Sequence, residues 1–374
     1  MTEGTKATLL RNHGANELLN APYLAQVPQS DLDFATDHPV TGLEPAVIES
    51  TIEAMESGQT HYVDVPGILP LREAVTAHLE GEGVDGYPAS SIVVTASLQE
   101  ARFLALQVIT EALPEVALPE VVHPGVKAAL GIRPPGLHYL TVERESGMLP
   151  PIDAIEQALE RGVKLVYLES PARLTGAAFE PSSVERLAGL LESHDAYAIW
   201  DQGLSPFVSG RPYLSLGALA GMQERVTLIG EAFPGVGLEG LAIGTIATSE
   251  RWAKPITSLK QIMSICTATA SQYAALKAGE HFDTELGELL ASLQVVRQES
   301  VEQLTAAGVH VHPGQVASLI ALTISQELAS SLRERGYRFA DGADFGHPGV
   351  QRLSVTPGSD VVEMILSQLS EARS

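Results

Sequence analysis

The chain has 374 residues, 45% hydrophobic and 18% charged, a globular composition with room for one large core and a smaller domain. Its 46 acidic against 23 basic residues leave a net charge of −23, which repels nucleic acid and anionic lipid, and no lysine/arginine block overrides that repulsion. A single cysteine, Cys266, excludes a disulfide or a cysteine metal cluster, and the eleven histidines show no HExxH-type ligand spacing.

The opening residues MTEGTKATLLRNHG carry no apolar signal core, and no window approaches a membrane span, so a cytoplasmic protein is expected. Further along, short β-rich runs alternate with helical stretches. Strands are predicted at 91–97, 120–125, 137–142, 164–170, 197–202, 226–231 and 241–248. Most are continuously apolar, as suits strands covered on both faces. Helices are predicted at 98–113, 151–162 and 182–194. This alternation argues for a mostly parallel sheet in a three-layer α/β domain, with the ligand at the carboxyl ends of its strands. From about residue 255 the pattern changes to a long helical tract over 255–308, then HVHPGQVASLIALTI, a helix SQELASSLRERG and a strand VQRLSVTP. His310 and His312 alternate there and read as partly exposed strand residues rather than half of a metal site. The final helix begins at Asp360 and Glu363, which have capping-box spacing. The predicted division is an N-terminal segment, 1–45, packing with the small domain; a large α/β domain, 46–262; and a small α+β domain, 263–374.

Six short motifs follow one another in a familiar order. They are HYVDVPGILPLREAV (61–75), VTASLQEA (94–101), SPARLTG (170–176), WDQGLSPF (200–207), LIGEAFPGVGLEGLAIG (228–244) and VQRLSVTPG (350–358). In that order they resemble the class I/II aminotransferases, the fold type I family that uses pyridoxal phosphate. The resemblance runs from about residue 30 to the end of the chain. It implies the aspartate aminotransferase-like fold, with a seven-stranded, mostly parallel sheet in the large domain. It also implies pyridoxal phosphate as cofactor, and a dimer with sites at its interface.

That chemistry needs a lysine for the Schiff base and a carboxylate to hold the pyridine nitrogen protonated. By resemblance Asp201 takes the carboxylate role, although a strand-end Asp also caps turns. The family lysine falls about thirty residues later, where this chain has Glu231. The six lysines are Lys6, Lys127, Lys164, Lys254, Lys260 and Lys277, so a shifted alignment does not rescue the position. The phosphate arginine maps to Glu239, or to Ala242 in another alignment. A unit-charge pair 4 Å apart is worth about 4 kcal/mol at an effective dielectric near 20, so reversing its sign outweighs ordinary hydrogen-bond gains. The phosphate turn at a helix N-terminus maps to Ala96, Ser97 and Leu98; on its own such a terminus offers about 1 kcal/mol to an anion. The stacking aromatic maps to Gly125 and Val126, the ring-hydroxyl asparagine to Arg173, the tyrosine after the aspartate to Leu204, and the phosphate serine to Leu228.

Two positions match the family pattern. Arg352 aligns with the arginine that grips a substrate carboxylate, and it also reads as a strand arginine paired with an acidic surface. Tyr62 aligns with the tyrosine that reaches the neighbouring subunit's cofactor, and it also reads as a packing residue beside Pro66-Gly67. Arg173 is expected to pair with Glu231 or Glu239 across the cleft. The resulting expectation is an aminotransferase-like protein without Schiff-base transamination, with no covalent pyridoxal phosphate, noncovalent binding disfavoured, and a small-carboxylate site at Arg352. The alternatives are an enzyme acting on an amino acid with noncovalent pyridoxal or pyridoxamine phosphate, and a non-catalytic subunit of an active homologue. A homodimer or such a heterodimer is expected, with neither nucleic acid nor membrane as partner.

Overall fold

The computed structural model describes residues 34–37, 39, 41–241, 243–356 and 360–371; the readings of Ala242, of Lys6 and of most of the 1–45 segment lie outside them. The elements in chain order are α1 (Pro45–Glu56), α2 (Leu69–Gly81), β1 (Ile92–Ala96), α3 (Ser97–Ala112), β2 (Glu115–Pro119), α4 (Pro124–Ile132), β3 (Gly136–Leu140) and α5 (Ile152–Glu160). Next come β4 (Leu165–Glu169), α6 (Pro181–Ser193), β5 (Tyr197–Asp201), β6 (Val226–Glu231), β7 (Ile243–Ala247), α7 (Glu250–Met263), α8 (Thr269–Gly279) and α9 (Phe282–Ala306). The remainder is β8 (His310–Val311), β9 (Leu319–Thr323), α10 (Gln326–Glu334), β10 (Ala340–Asp341), α11 (Gly342–Phe345), β11 (Val350–Ser354) and α12 (Val361–Glu371).

Seven strands form one sheet in the order β1-β7-β6-β5-β4-β2-β3. The pairs from β3 through β2, β4 and β5 to β6 are parallel, whereas β7 runs antiparallel to both β6 and β1. The apolar runs explain this burial: β4, β5 and β7 are buried at every residue, with helices over both faces. One core gathers Leu71, Val94, Leu168, Trp200 and Leu228, and α8 joins it through Ala274 and Ala275 while packing on α1 and α2. The other lies under α3 and α7, around Leu104, Ile109, Tyr167, Ile199 and Ile256. The second sheet has the order β10-β11-β9-β8, with its own core of Leu304, Ile320, Leu322, Leu353 and Ile365.

Three expectations change. The strand predicted at 120–125 is β2, at 115–119. Two apolar runs, VAL and VV, compete for that strand, and Pro124 at the first turn of α4 commits the second run to a helix entry, with the His123 ring accepting from the Gly125 amide. The 255–308 tract is three helices, interrupted at 264–268 and 280–281. His312 is buried, its Nε2 2.9 Å from the Thr323 hydroxyl, while His310 is exposed beside it. The final helix begins directly after Asp360, whose carboxylate also accepts a hydrogen bond from the Tyr337 hydroxyl at 3.3 Å. Among the described residues, no helix is long and apolar enough to cross a membrane.

Candidate functional site

Three adjacent parallel strands end in carboxylates at the same edge of the sheet: Glu169 on β4, Asp201 on β5 and Glu231 on β6. Glu169 and Asp201 are direct register partners and both are buried. Buried carboxylates stay ionised only when paired and hydrogen-bonded. Asp201 is thoroughly paired. Its Oδ2 accepts from Arg102 Nε at 2.7 Å and from the Tyr167 hydroxyl at 3.0 Å; its Oδ1 accepts from the Gly203 amide at 3.1 Å, with Arg173 Nη2 at 3.6 Å. Burial alone would raise its pKa, but the guanidinium groups of Arg102 and Arg173 outweigh that and hold it below the usual carboxylate range.

Arg173 does not reach across to the glutamates as expected. Its ion pairs go to Asp37, with Nη1 3.2 Å from Oδ2, and to Asp201. Two aspartates lie within reach of this buried guanidinium, which fixes its direction. Asp37 in turn places Oδ1 2.6 Å from Arg352 Nη1. Arg352 is fully buried rather than paired with a surface: Nη1 donates to the Arg173 carbonyl at 2.8 Å and Nη2 to the Ala35 carbonyl at 2.7 Å. A continuous chain of alternating charge results, Arg352–Asp37–Arg173–Asp201–Arg102, its five members drawn from five separate parts of the sequence. Beside it, Glu169 accepts from the His123 amide at 2.9 Å and the Arg173 amide at 3.3 Å. At Gly203 a Cβ would collide with Arg173 Nη2 and with Leu98, so glycine is what lets Arg173 and Leu98 close over the strand end.

The turn at Ala96, Ser97 and Leu98 does open a helix, α3, with Ser97 at φ 79°. An anion is already in place there, supplied by the helix itself. The Ala96 amide donates to the Glu100 carboxylate, which also accepts from Lys260 Nζ at 3.2 Å and from the Ser264 hydroxyl at 2.9 Å. Lys260 is fully buried. At the expected stacking position, Gln99 covers Gly125 and donates to its carbonyl at 3.0 Å, while Val126 is buried in the second core. Leu204 and Leu228 are buried in the first core.

The glycine-rich loop after β6 has a packing explanation. Gly237, at φ 81°, has no room for a Cβ against the backbone of Gly42 and Leu43, and Thr41 donates to the Gly235 carbonyl at 3.0 Å. Glu231 and Glu239 are each half-buried along it. A cavity of ≈ 40 Å³ touches Glu231 and is bordered, among the described residues, by His78, Glu82, Gly203, Phe233 and Thr245. That is space for a few waters at about 10–15 Å³ each. Tyr62 is 79% exposed rather than packed beside Pro66-Gly67.

These residues do not fit pyridoxal phosphate held as the resemblance implies. A carboxylate offers about four acceptor directions, and Arg102, Tyr167 and Gly203 take three while Arg173 faces the fourth. The helix N-terminus faces Glu100, and Glu231 cannot form an imine. Sequence reading missed Asp37, Arg102, Glu100, Lys260, Tyr167 and Glu169. One signal was available: Arg102 interrupts the apolar stretch of α3, where an unpaired charge would be costly.

The family model "Aminotransferase class I and II" matches residues 29–369. A "Probable aspartate/prephenate aminotransferase" of Aquifex aeolicus is 26% identical over 341 residues, 86% of each chain. The "Aspartate aminotransferase" of Thermotoga maritima is 21% identical over 343 residues, 91% of this chain and 88% of that relative. Among solved structures, Pyrococcus protein-A1 superposes with a TM-score of 0.86 at 20% identity, covering 97% of this chain and 98% of its own. Thermus thermophilus aspartate aminotransferase tetra mutant 1 gives 0.83 at 21% identity, covering 94% and 98%. By sequence match across most of its length, and with the fold to go with it, this chain belongs to the class I and II aminotransferase family.

Proposed function

We propose that this protein keeps the aminotransferase fold but not Schiff-base transamination, and that its cofactor cleft is filled by its own side chains. The observation that carries the reading is Asp201, the residue aligned with the pyridine-nitrogen carboxylate, bound instead by Arg102, Tyr167 and Gly203. Glu231 at the lysine position and Glu239 at the phosphate-arginine position support it, because neither offers an amine or a cation. We also read the large and small domains as dividing at 262/263 and the protein as cytoplasmic, the latter on composition alone.

The test is a titration of the purified 374-residue chain with pyridoxal phosphate, followed by gel filtration, borohydride reduction and mass spectrometry. The expected result is no retained cofactor absorbance and no reduced adduct. A reduced adduct on a lysine of this cleft would overturn the reading. Retained but unreduced cofactor would favour an enzyme using it noncovalently.

A second reading is a non-catalytic subunit beside an active relative. It draws support from Tyr62, exposed on the segment after α1, and from the exposed Ile48, Ile52 and Met55 on that helix. Copurification of a lysine-bearing homologue would support it; a homogeneous single-chain assembly would count against it.

A further inference from the structure

Glu169, Asp201 and Glu231 close three strands at one edge of the large sheet; the opposite ends of the same strands carry the opposite charge. Lys164 precedes β4 and Arg225 precedes β6, with β5 opening at Tyr197 between them. Two backbone bonds fix that spacing: the Tyr197 amide donates to the Lys164 carbonyl at 2.8 Å, and the Ala198 amide to the Arg225 carbonyl at 2.9 Å. Arg251, in the first turn of α7, joins them around an open cleft of ≈ 380 Å³, whose walls also include Asp195 and Glu224.

These cations have more hydrogen-bond donors than the protein uses. Arg225 Nη1 lies 2.8 Å from Asp195 Oδ1, and its other nitrogens are uncommitted among the described residues. The Lys164 ammonium donates to the His194 carbonyl and has three donors in all. Arg251 is exposed and, among the described residues, makes neither an ion pair nor a hydrogen bond. Its guanidinium rests instead over aromatic rings, 4.6 Å from the centre of Trp252 and 5.7 Å from that of Tyr197. Such a contact orients a guanidinium and leaves its N–H groups for a ligand. The rings are themselves set: Tyr197 meets Trp252 edge-on, and its hydroxyl donates to the Glu224 carbonyl beside Ser249. All three cations act on one point, because Asp195 is held below the usual carboxylate range by its bond from Arg225 and by the charges of Arg225, Lys164 and Arg251. In a chain of net charge −23 this is a local reversal of sign.

We propose that this cleft binds a phosphate monoester of a small hydroxylated molecule, with Arg251, Arg225 and Lys164 on the phosphoryl group and Glu224 on a hydroxyl. A phosphoryl group brings about −1.5 to −2 charges and three acceptor oxygens to three cationic donors, more than a monocarboxylate offers. The volume falls within the range of about 300–1,000 Å³ typical of small-molecule sites and exceeds what a bare oxyanion fills. The Glu224 carboxylate, which makes no ion pair among the described residues, accepts from a hydroxyl and repels a second anion. The site lies outside the family cleft and does not depend on how that cleft is filled.

The test is isothermal titration calorimetry of the full chain with ribose 5-phosphate, inorganic phosphate and ribose, at constant ionic strength in sodium chloride. The parent should bind ribose 5-phosphate saturably, at least about tenfold more tightly than inorganic phosphate, and ribose should give no signal. Arg251→Gln and Arg225→Gln should each weaken ribose 5-phosphate by about tenfold or more, the loss expected for a hydrogen bond to a charged group. Glu224→Ala should narrow the advantage of the ester over inorganic phosphate. Lys277→Gln, which removes a cation of α8 paired with Glu280 outside the cleft, should bind like the parent. No saturable phosphate binding, unchanged binding in Arg251→Gln, or an equal loss in Lys277→Gln overturns the proposal; equal affinities for the ester and inorganic phosphate overturn the ester. If Arg225→Gln does not fold, Arg251→Gln and Lys164→Gln decide. Unreduced pyridoxal phosphate retained by the parent but not by Arg251→Gln would support this site and leave the reading of the family cleft standing.

Discussion

Glu169 and Asp201 sit side by side at the ends of two strands, yet their surroundings drive them in opposite directions. Burial, followed by the neighbouring Asp201 charge, pushes Glu169 up to about 7, against the pull of Arg102. Asp201 has the closer guanidinium groups and goes down. The sign for stability follows from proton counting. Glu169 has a folded value above its ordinary 4.5, so the folded protein holds a proton that the unfolded chain releases across that interval. Its contribution is complete below about 4.5 and is lost as pH rises to about 7, by on the order of 3 kcal/mol if the whole shift is expressed. Glu169→Gln should therefore gain stability relative to the parent as pH rises through this window, in urea unfolding measured on both sides of it. A constant difference would refute the assignment. His312 works in the other direction: burial, then His310, brings it down to about 4, so its contribution is lost as pH falls from 6.5 toward that value. The parent–variant difference cancels it. At this scale the sequence made Asp201 and Arg352 visible because each closes or lines a strand inside a recognisable motif. It concealed Asp37 and Arg102 because an ion pair leaves no local signature when its partners are 136 or 99 residues apart.

Helix α3 is an element whose N-terminus has been satisfied from within. Its exposed amides attract negative charge, and Glu100 in the first turn supplies it, with buried Lys260 of α7 as counter-ion. Breaking a buried pair by removing one partner is costly, about 3–5 kcal/mol, because a charge is left without compensation. Glu100→Ala should show a loss of that order in urea unfolding, and Lys260→Met should too. Glu100→Gln/Lys260→Met should recover much of it, since neither charge remains. Additive losses in the double variant would mean that the two residues act separately. The parallel strands were legible because a continuous apolar run of five or six residues has few other uses. Where two such runs adjoin, as at 115–122, propensity does not choose between them, and the tertiary position of α4 does. The breaks in the long helical tract were similarly hidden, since Ser264–Ala268 is no more polar than the helices around it.

Across the whole molecule, the bonds that join the regions of the two sheets include two separate sets. One is backbone: Gln315 and Val316 donate to the Gly176 carbonyl, Ala317 donates to Phe207, and Val208 bridges Val316. The other runs through a side chain, Arg352, which leaves β11 of the small sheet to bind Asp37 and the Arg173 carbonyl beyond β4. Family resemblance anticipated an arginine there for an external carboxylate, but not that the chain's own residues would engage both of its terminal nitrogens. Such a residue couples three segments, residues 34–37, the 170–176 loop and β11, so disturbing it should release them together. Arg352→Gln keeps a donor but removes the charge that Asp37 neutralises. In hydrogen-exchange mass spectrometry, peptides covering 34–37 and 170–176 should exchange faster in the variant, whereas those covering 313–317 should keep their protection. If 313–317 loosens equally, Arg352 supports the whole junction between the sheets rather than the charge chain. If no peptide changes, the 34–37 segment is held by Phe34 and its backbone bonds, and the buried arginine contributes no coupling between the sheets.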